Sequence, residues 1–281
     1  DRLITPPSAK QRMASAMLEV YGDEWMVPFS CLRYRWNYPE NLPILFPQFG
    51  RIALPYGPKA IRAVLGKKLS ARLRGYMPKL GLTPDICQAV EQRHEQLLDI
   101  LNGHFEQYDY LLGGAACAGD FALFGPLYAH LYLDPAPRKV MEARAPNVVR
   151  WVERKANKPQ ATGDFFADDV VPEAVEKLLG IFAQDCLPLL MESARRVDAW
   201  ALENPGNKNV PGALSGMGFS ILGAKATRMV LTAPVWKLQR VLVHVPDVDT
   251  GWLMQLGAQS LLDYQQQSEL SRRDNRVVLA G

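Results

Sequence analysis

The stretch Leu111-Leu112-Gly113-Gly114-Ala115-Ala116-Cys117-Ala118-Gly119-Asp120-Phe121-Ala122-Leu123-Phe124-Gly125-Pro126-Leu127-Tyr128-Ala129-His130 decides how this chain is read. Gly113 and Gly114 break the helical pattern before them. Cys117 takes the N-cap position, and Asp120 three residues on can turn its carboxylate back to the N-cap N–H. Phe121, Leu123, Phe124, Leu127, Tyr128 and Leu131 surround the next helix on most sides, the composition of a helix buried by its neighbours. Asp120 therefore serves the backbone and is not an acid catalyst.

Outward from that helix, long periodic stretches point to a mainly α chain. Pro6-Pro7-Ser8 reads as linker and cap. Met13, Met17, Tyr21, Trp25, Phe29, Leu32 and Trp36 then recur at helical spacing, with Pro28 expected to kink or break the run. Glu19, Asp23, Glu24, Arg33 and Arg35 crowd around this aromatic stripe. It reads as core, with the wall of an acceptor pocket as the alternative. Residues 37–57, with Pro39, Pro43, Pro47 and Pro55, read as an irregular connection. From Asn41 to Pro84 there is no Asp or Glu, while Arg51, Lys59, Arg62, Lys67, Lys68, Arg72, Arg74 and Lys79 fall inside. With Ile61, Val64, Leu65, Leu69 and Leu73 this is a basic amphipathic helix. It reads as a solvated face; attraction for an anionic substrate or a weak contact with an anionic membrane are the sharper alternatives.

Thr83-Pro84 opens a further helix whose buried face carries Val90, His94, Leu97, Leu101 and Phe105. Asp134-Pro135 and Pro146 start two more, the last reaching Trp151. Pro172 opens a helix with Val175, Leu178, Leu179, Phe182, Cys186 and Leu189 on one face and a kink expected at Pro188. Residues 219–231 read as two short strands around a turn. Helices follow around Val235–His244 and Asp249–Gln265, and Ser271–Arg276 reads as a polar tail.

The totals narrow the function classes. In 281 residues, 48% hydrophobic and 22% charged, the chain is globular, and a formal charge of +3 does not imply nucleic acid. Cys31, Cys87, Cys117 and Cys186 show no metal spacing and read as free thiols of a reducing cytoplasm. His94, His104, His130 and His244 have no partner at ligand spacing, so no metal is assigned. Phosphate-loop, dinucleotide, nucleophile-elbow and zinc-protease motifs are absent. Asp23-Glu24 and Asp168-Asp169 are adjacent and point apart. The first residue is Asp1, with no initiator Met, which suggests a chain that begins inside a longer protein.

The motif Leu-Leu-Gly-Gly-x-x-Cys-Ala-Gly-Asp-Phe-Ala, with Ala145-Pro146-Asn147-Val148-Val149-Arg150-Trp151 after it, resembles the C-terminal helical domain of glutathione S-transferases. In that family the cap follows a pattern like Ser/Thr-x-Ala-Asp; here Cys117 and Gly119 replace two of its members. The resemblance covers about residues 8–157. It implies a helical bundle over 1–157, a linker over 158–169 and an extension over 170–281 of helices with a short β-hairpin, as some bacterial glutathione-transferase-like proteins carry. It also implies a thioredoxin-like domain, in cis or in trans, that supplies the thiol-activating group and most glutathione contacts. No catalytic residue is nominated in this chain. By resemblance, Tyr21, Trp25, Phe29 and Arg33 bind a hydrophobic acceptor, glutathione is the co-substrate, and a homodimer is compatible with the family. The alternative is a binding or scaffolding protein that uses the helical domain without chemistry.

Overall fold

The computed structural model describes residues 4–157, 163–274 and 276–280. The stripe beginning at Met13 forms one long helical run. α1 (Ala9–Tyr21) passes into a π-helical segment (Gly22–Cys31) and then α2 (Leu32–Asn37). Ser8 caps it, its hydroxyl accepting from the Gln11 N–H at 3.2 Å. Pro28 does not break the run as expected. It lies inside the π segment, where the wider turn accommodates the ring and the missing N–H.

Residues 37–57 depart from the expected irregular connection. After a 3₁₀ turn at Pro39–Asn41, Leu42–Gly50 form α3, which packs along α4 (Lys59–Arg74). Pro43 falls in the first turn, where an N–H is not needed. The contact with α4 outweighs the unfavourable Pro47. A Cβ on Gly66 would lie 1.7 Å from the Phe46 carbonyl oxygen, so the two backbones meet where only glycine fits.

α5 (Pro84–Gln107) starts at the expected Pro84 and puts Val90, His94, Leu97, Leu101 and Phe105 in the core. α6 (Ala118–Pro126) follows and continues as a π segment (Leu127–Tyr132). Its cap is built as anticipated. Asp120 is fully buried and accepts from the Cys117 N–H at 2.9 Å and the Leu111 N–H at 3.1 Å; the Cys117 thiol also donates to it at 3.2 Å. Replacing Asp120 by Ala should destabilise the chain by about 0.5–2 kcal/mol. Urea titration checks this; a loss of ligand binding without a loss of stability would instead move Asp120 into a site. α7 (Pro135–Arg144) and α8 (Pro146–Ala156) complete this part, with Trp151 fully buried and stacked on Phe105 at 4.5 Å.

Gly113 and Gly114 do more than stop a helix. Residues 163–166 run alongside them: Gly114 N–H donates to Asp164 O at 2.8 Å, and Phe166 N–H donates to Leu112 O at 3.0 Å. Of the expected linker, residues 158–162 lie outside the described residues. The buried Gln11 amide holds the returning chain by donating to the carbonyls of Phe166 and Val170, each at 2.9 Å.

In the extension, α9 (Glu173–Ile181), a π segment (Phe182–Cys186) and α10 (Leu187–Glu203) form a second continuous run. The bend expected at Pro188 is expressed as the π segment just before it, with Pro188 in the first turn of α10. β1 (Ala213–Ile221) and β2 (Ala224–Leu231) make the expected hairpin, longer at its start than the sequence indicated. Leu222 and Gly223 turn it with φ of 48° and 84°, the both-positive pattern of a type I′ turn. α11 (Ala233–Leu242), α12 (Thr250–Gln255) and α13 (Ser260–Asp263) follow. The single helix expected over Asp249–Gln265 is thus two, because Gly257 enters the left-handed region with φ 75°. The expected polar tail is a second antiparallel hairpin, β3 (Leu270–Arg273) with β4 (Arg276–Leu279). Leu270 and Val277 are buried beneath its polar outer face.

One hydrophobic core reaches from Met13 to Val277. The architecture is mainly helical with short hairpins, the fold class expected, with the β3–β4 hairpin as an addition.

Candidate functional site

Tyr21, Trp25 and Phe29 share one face of the π-interrupted run and are all buried. Tyr21 meets Phe182 edge-on at 6.4 Å. The Trp25 and Phe29 rings lie 4.4 Å apart, and Phe219 of β1 covers both, at 6.2 and 5.4 Å. Arg33 lies apart from this group, paired with Glu91 at 3.0 Å and placed over the Tyr38 ring. The structure therefore brings three of the four candidate residues together and separates the fourth.

The ions around the stripe are engaged in packing. Lys237 of α11 pairs with Asp23 at 2.7 Å and Glu24 at 2.9 Å, and Arg240 pairs with Glu19. Arg35 binds Asp134 through two nitrogens, at 2.7 and 3.0 Å.

Phe219 leads from this buried cluster to an open cleft of about 770 Å³ between the hairpin and the start of α10. Its wall includes Gln184, Asp185, Leu189, Arg195, Phe219 and Lys225. The alternation of β1 and β2 explains the mixture: Met217, Phe219 and Ile221 turn inward, while Ser220, Lys225 and Thr227 are exposed. Asp185 is fixed at the bottom by Arg93, whose Nε lies 2.6 Å from Oδ2 and whose Nη2 donates to Oδ1 at 2.9 Å. Burial raises the Asp185 carboxyl pKa, and the Arg93 guanidinium works against that shift.

Behind Leu189 and Met217 is a cavity of about 20 Å³, room for about one water. Arg228 lines it. Only 8% of Arg228 is exposed, its guanidinium lies 5.5 Å from the Phe29 ring, and burial lowers its pKa. Sequence reasoning passed over Arg228, Phe219 and Asp185. The signal for Arg228 was present: it shares the inward phase of β2 with Ala224, Ala226 and Val230, a lone cation on an otherwise apolar strand face.

None of the thiols is activated. Burial is the first cause of a raised pKa at Cys31, Cys87, Cys117 and Cys186. The Tyr21 hydroxyl is likewise raised, by burial and then by Asp185. Cys31 has Arg35 nearby, but that guanidinium is held by Asp134 and does not offset desolvation. Among the described residues, no group of three or more His, Cys, Asp or Glu side chains converges as a metal site requires.

No curated protein and no solved structure matches the chain. Residues 84–159 match the family model described as glutathione S-transferase, C-terminal domain. The match begins at the first residue of α5, contains the Cys117–Asp120 cap and runs past α8. The capped α6 at its centre is half-buried, not buried on most sides as expected, since Phe121 is 52% exposed. Over that segment the chain carries a glutathione S-transferase C-terminal domain.

Proposed function

We propose that this chain is the acceptor-binding, helical portion of a glutathione-transferase-like protein of the cytoplasm. In this reading the cleft beside Phe219 receives a hydrophobic small molecule, and glutathione is activated by a thioredoxin-like domain joined in cis or in trans. The observation that carries the reading is the 770 Å³ cleft, whose apolar inner wall continues into the Trp25–Phe29 cluster and whose rim offers Arg195 and Lys225. A flat apolar group would rest against Phe219, and an anionic group of an acceptor or of its glutathione conjugate would meet the rim cations. Tyr21, Trp25 and Phe29 then support the cleft from behind Phe219. Arg33, turned toward Glu91, has no direct part in it. Four cysteines free of disulfides suit a reducing compartment.

That Tyr21, Cys31 and Cys186 are not the activated groups is supported by their raised pKa values, since a nucleophile or its activator needs the opposite shift. The purified chain should give no turnover of glutathione with a dinitrochlorobenzene electrophile. It should nevertheless bind S-hexylglutathione in calorimetry. Thr227→Trp, at an exposed strand position on the cleft wall, should weaken that binding at least about tenfold by filling the space. Equal affinity in wild type and Thr227→Trp would remove the cleft from the reading. Robust turnover abolished by one substitution in this chain would overturn the division of labour.

A further inference from the structure

The α3–α4 hairpin takes no part in the cleft; α3 is tied to the core through Leu45 and Phe49, and the outer face of α4 is left uncovered. Among the described residues no helix is long and apolar enough to cross a membrane. This hairpin has the features of a surface that rests on one.

α4 turns Gly66 and Ser70 toward α3. Its opposite face carries Ile61, Val64, Leu65, Lys68, Leu69 and Arg72, at positions i, i+3, i+4, i+7, i+8 and i+11 of one helical stripe. Ile61, Val64 and Leu69 thus lie exposed to water, Val64 at 60%, with Leu65 half-buried beside them. The loop entering α4 adds Ile52, 76% exposed, and a fully exposed Tyr56. A contiguous apolar strip of this kind marks an interaction surface.

The charge pattern identifies the partner. Residues 41–84 contain eight Lys and Arg and no Asp or Glu. Arg51, Lys59, Lys67, Lys68, Arg72 and Lys79 are exposed, and among the described residues none of the eight is ion-paired. A second copy of this face would bring cation against cation. A nucleic acid would use the cations and leave the aliphatic stripe in water. An anionic bilayer surface uses both, lipid phosphates and carboxylates meeting Lys68 and Arg72 while Ile61, Val64 and Leu69 enter the acyl boundary.

We propose that the α3–α4 hairpin docks this chain on anionic lipid surfaces. The close backbone packing at Gly66 makes the hairpin a rigid foot, so the stripe is presented without an ordering cost at binding.

Flotation of the full chain with vesicles tests this. Binding to phosphatidylserine-rich vesicles is expected at low salt, with none to pure phosphatidylcholine. It should fall steeply toward 1 M salt as the Debye length shrinks from about 10 to about 3 Å. Lys68→Glu/Arg72→Glu should weaken it about 25-fold or more, at about fivefold per cation removed from the surface. Ile61→Ser/Val64→Ser should also weaken it, at unchanged charge. All four side chains are exposed, so unchanged circular dichroism melts should accompany both variants. Absence of binding to phosphatidylserine vesicles at low salt would overturn the proposal. So would vesicle binding insensitive to Ile61→Ser/Val64→Ser, or duplex DNA or heparin binding as tight as vesicle binding, since these make the face a general polyanion patch.

Discussion

Replacing Asp185 by Ala should cost about 3–5 kcal/mol of folding stability, the largest single effect expected in this chain. The carboxylate is almost wholly buried and faces the Arg93 guanidinium through two atoms. Gln96 accepts from Arg93 at 2.8 Å and Gln184 at 3.2 Å, but both are neutral. Removing Asp185 therefore leaves a positive charge out of water with only amide oxygens to meet it. The pair also joins two parts of the molecule. Arg93 lies on α5, inside the matched family segment, and Asp185 lies in the π segment of the extension. Loss of the carboxylate should thus loosen the seam on which the cleft is built. The pair specifies that seam more than it stabilises it, because desolvating two ions offsets most of their attraction. Arg93→Met/Asp185→Leu should accordingly recover stability to within about 1 kcal/mol of wild type. Guanidinium titrations of both proteins decide the matter. A cost below about 1 kcal/mol for Asp185→Ala would mean that water reaches the guanidinium.

What was legible in the sequence is what local pattern encodes. The step from Met13 to Trp36, the Cys117–Asp120 cap and the strand–turn–strand of 219–231 all state their own conformation, because periodicity and capping are properties of neighbours along the chain. α3 was illegible for the opposite reason: Pro43 and Pro47 within nine residues argue for a loop, and only the approach of α4 at Gly66 makes the helix favourable. The β3–β4 hairpin was hidden by the charges of Arg272 and Arg273, both exposed; Leu270 and Val277, which fix it to the core, lie on either side of the polar run. The candidate site shows the same division. The aromatic stripe could be read directly, but not that Phe219, almost two hundred residues later, would cover Trp25 and Phe29. Lys237 and Arg240 take up the acids beside the stripe from a similar distance along the chain.

Acid should destabilise the folded chain through His94, and a single substitution should isolate that contribution. His94 sits on the buried face of α5 with 1% exposure and its ring 5.2 Å from that of Tyr34. Neither ring nitrogen has a hydrogen-bond partner. Burial alone lowers its pKa from the usual 6.5 to about 4. Between those values the unfolded chain carries the proton and the folded chain does not. The unfolded state therefore binds more protons, and stability falls as pH falls. The contribution is fully present above pH 6.5, diminishes below it, and is smallest once pH passes the folded value near 4. For a shift of that size, linkage gives a loss of about 2 kcal/mol at pH 5 and about 3 kcal/mol at pH 4. His104, His130 and His244 are lowered by burial too, so the whole chain carries a steeper acid slope than His94 alone. His94→Leu separates the terms: it cannot take up a proton and suits the apolar site. Urea titrations of both proteins at about pH 7 and about pH 5 should show the variant losing about 2 kcal/mol less than wild type over that interval. Parallel losses would mean that His94 finds a proton acceptor or water in solution.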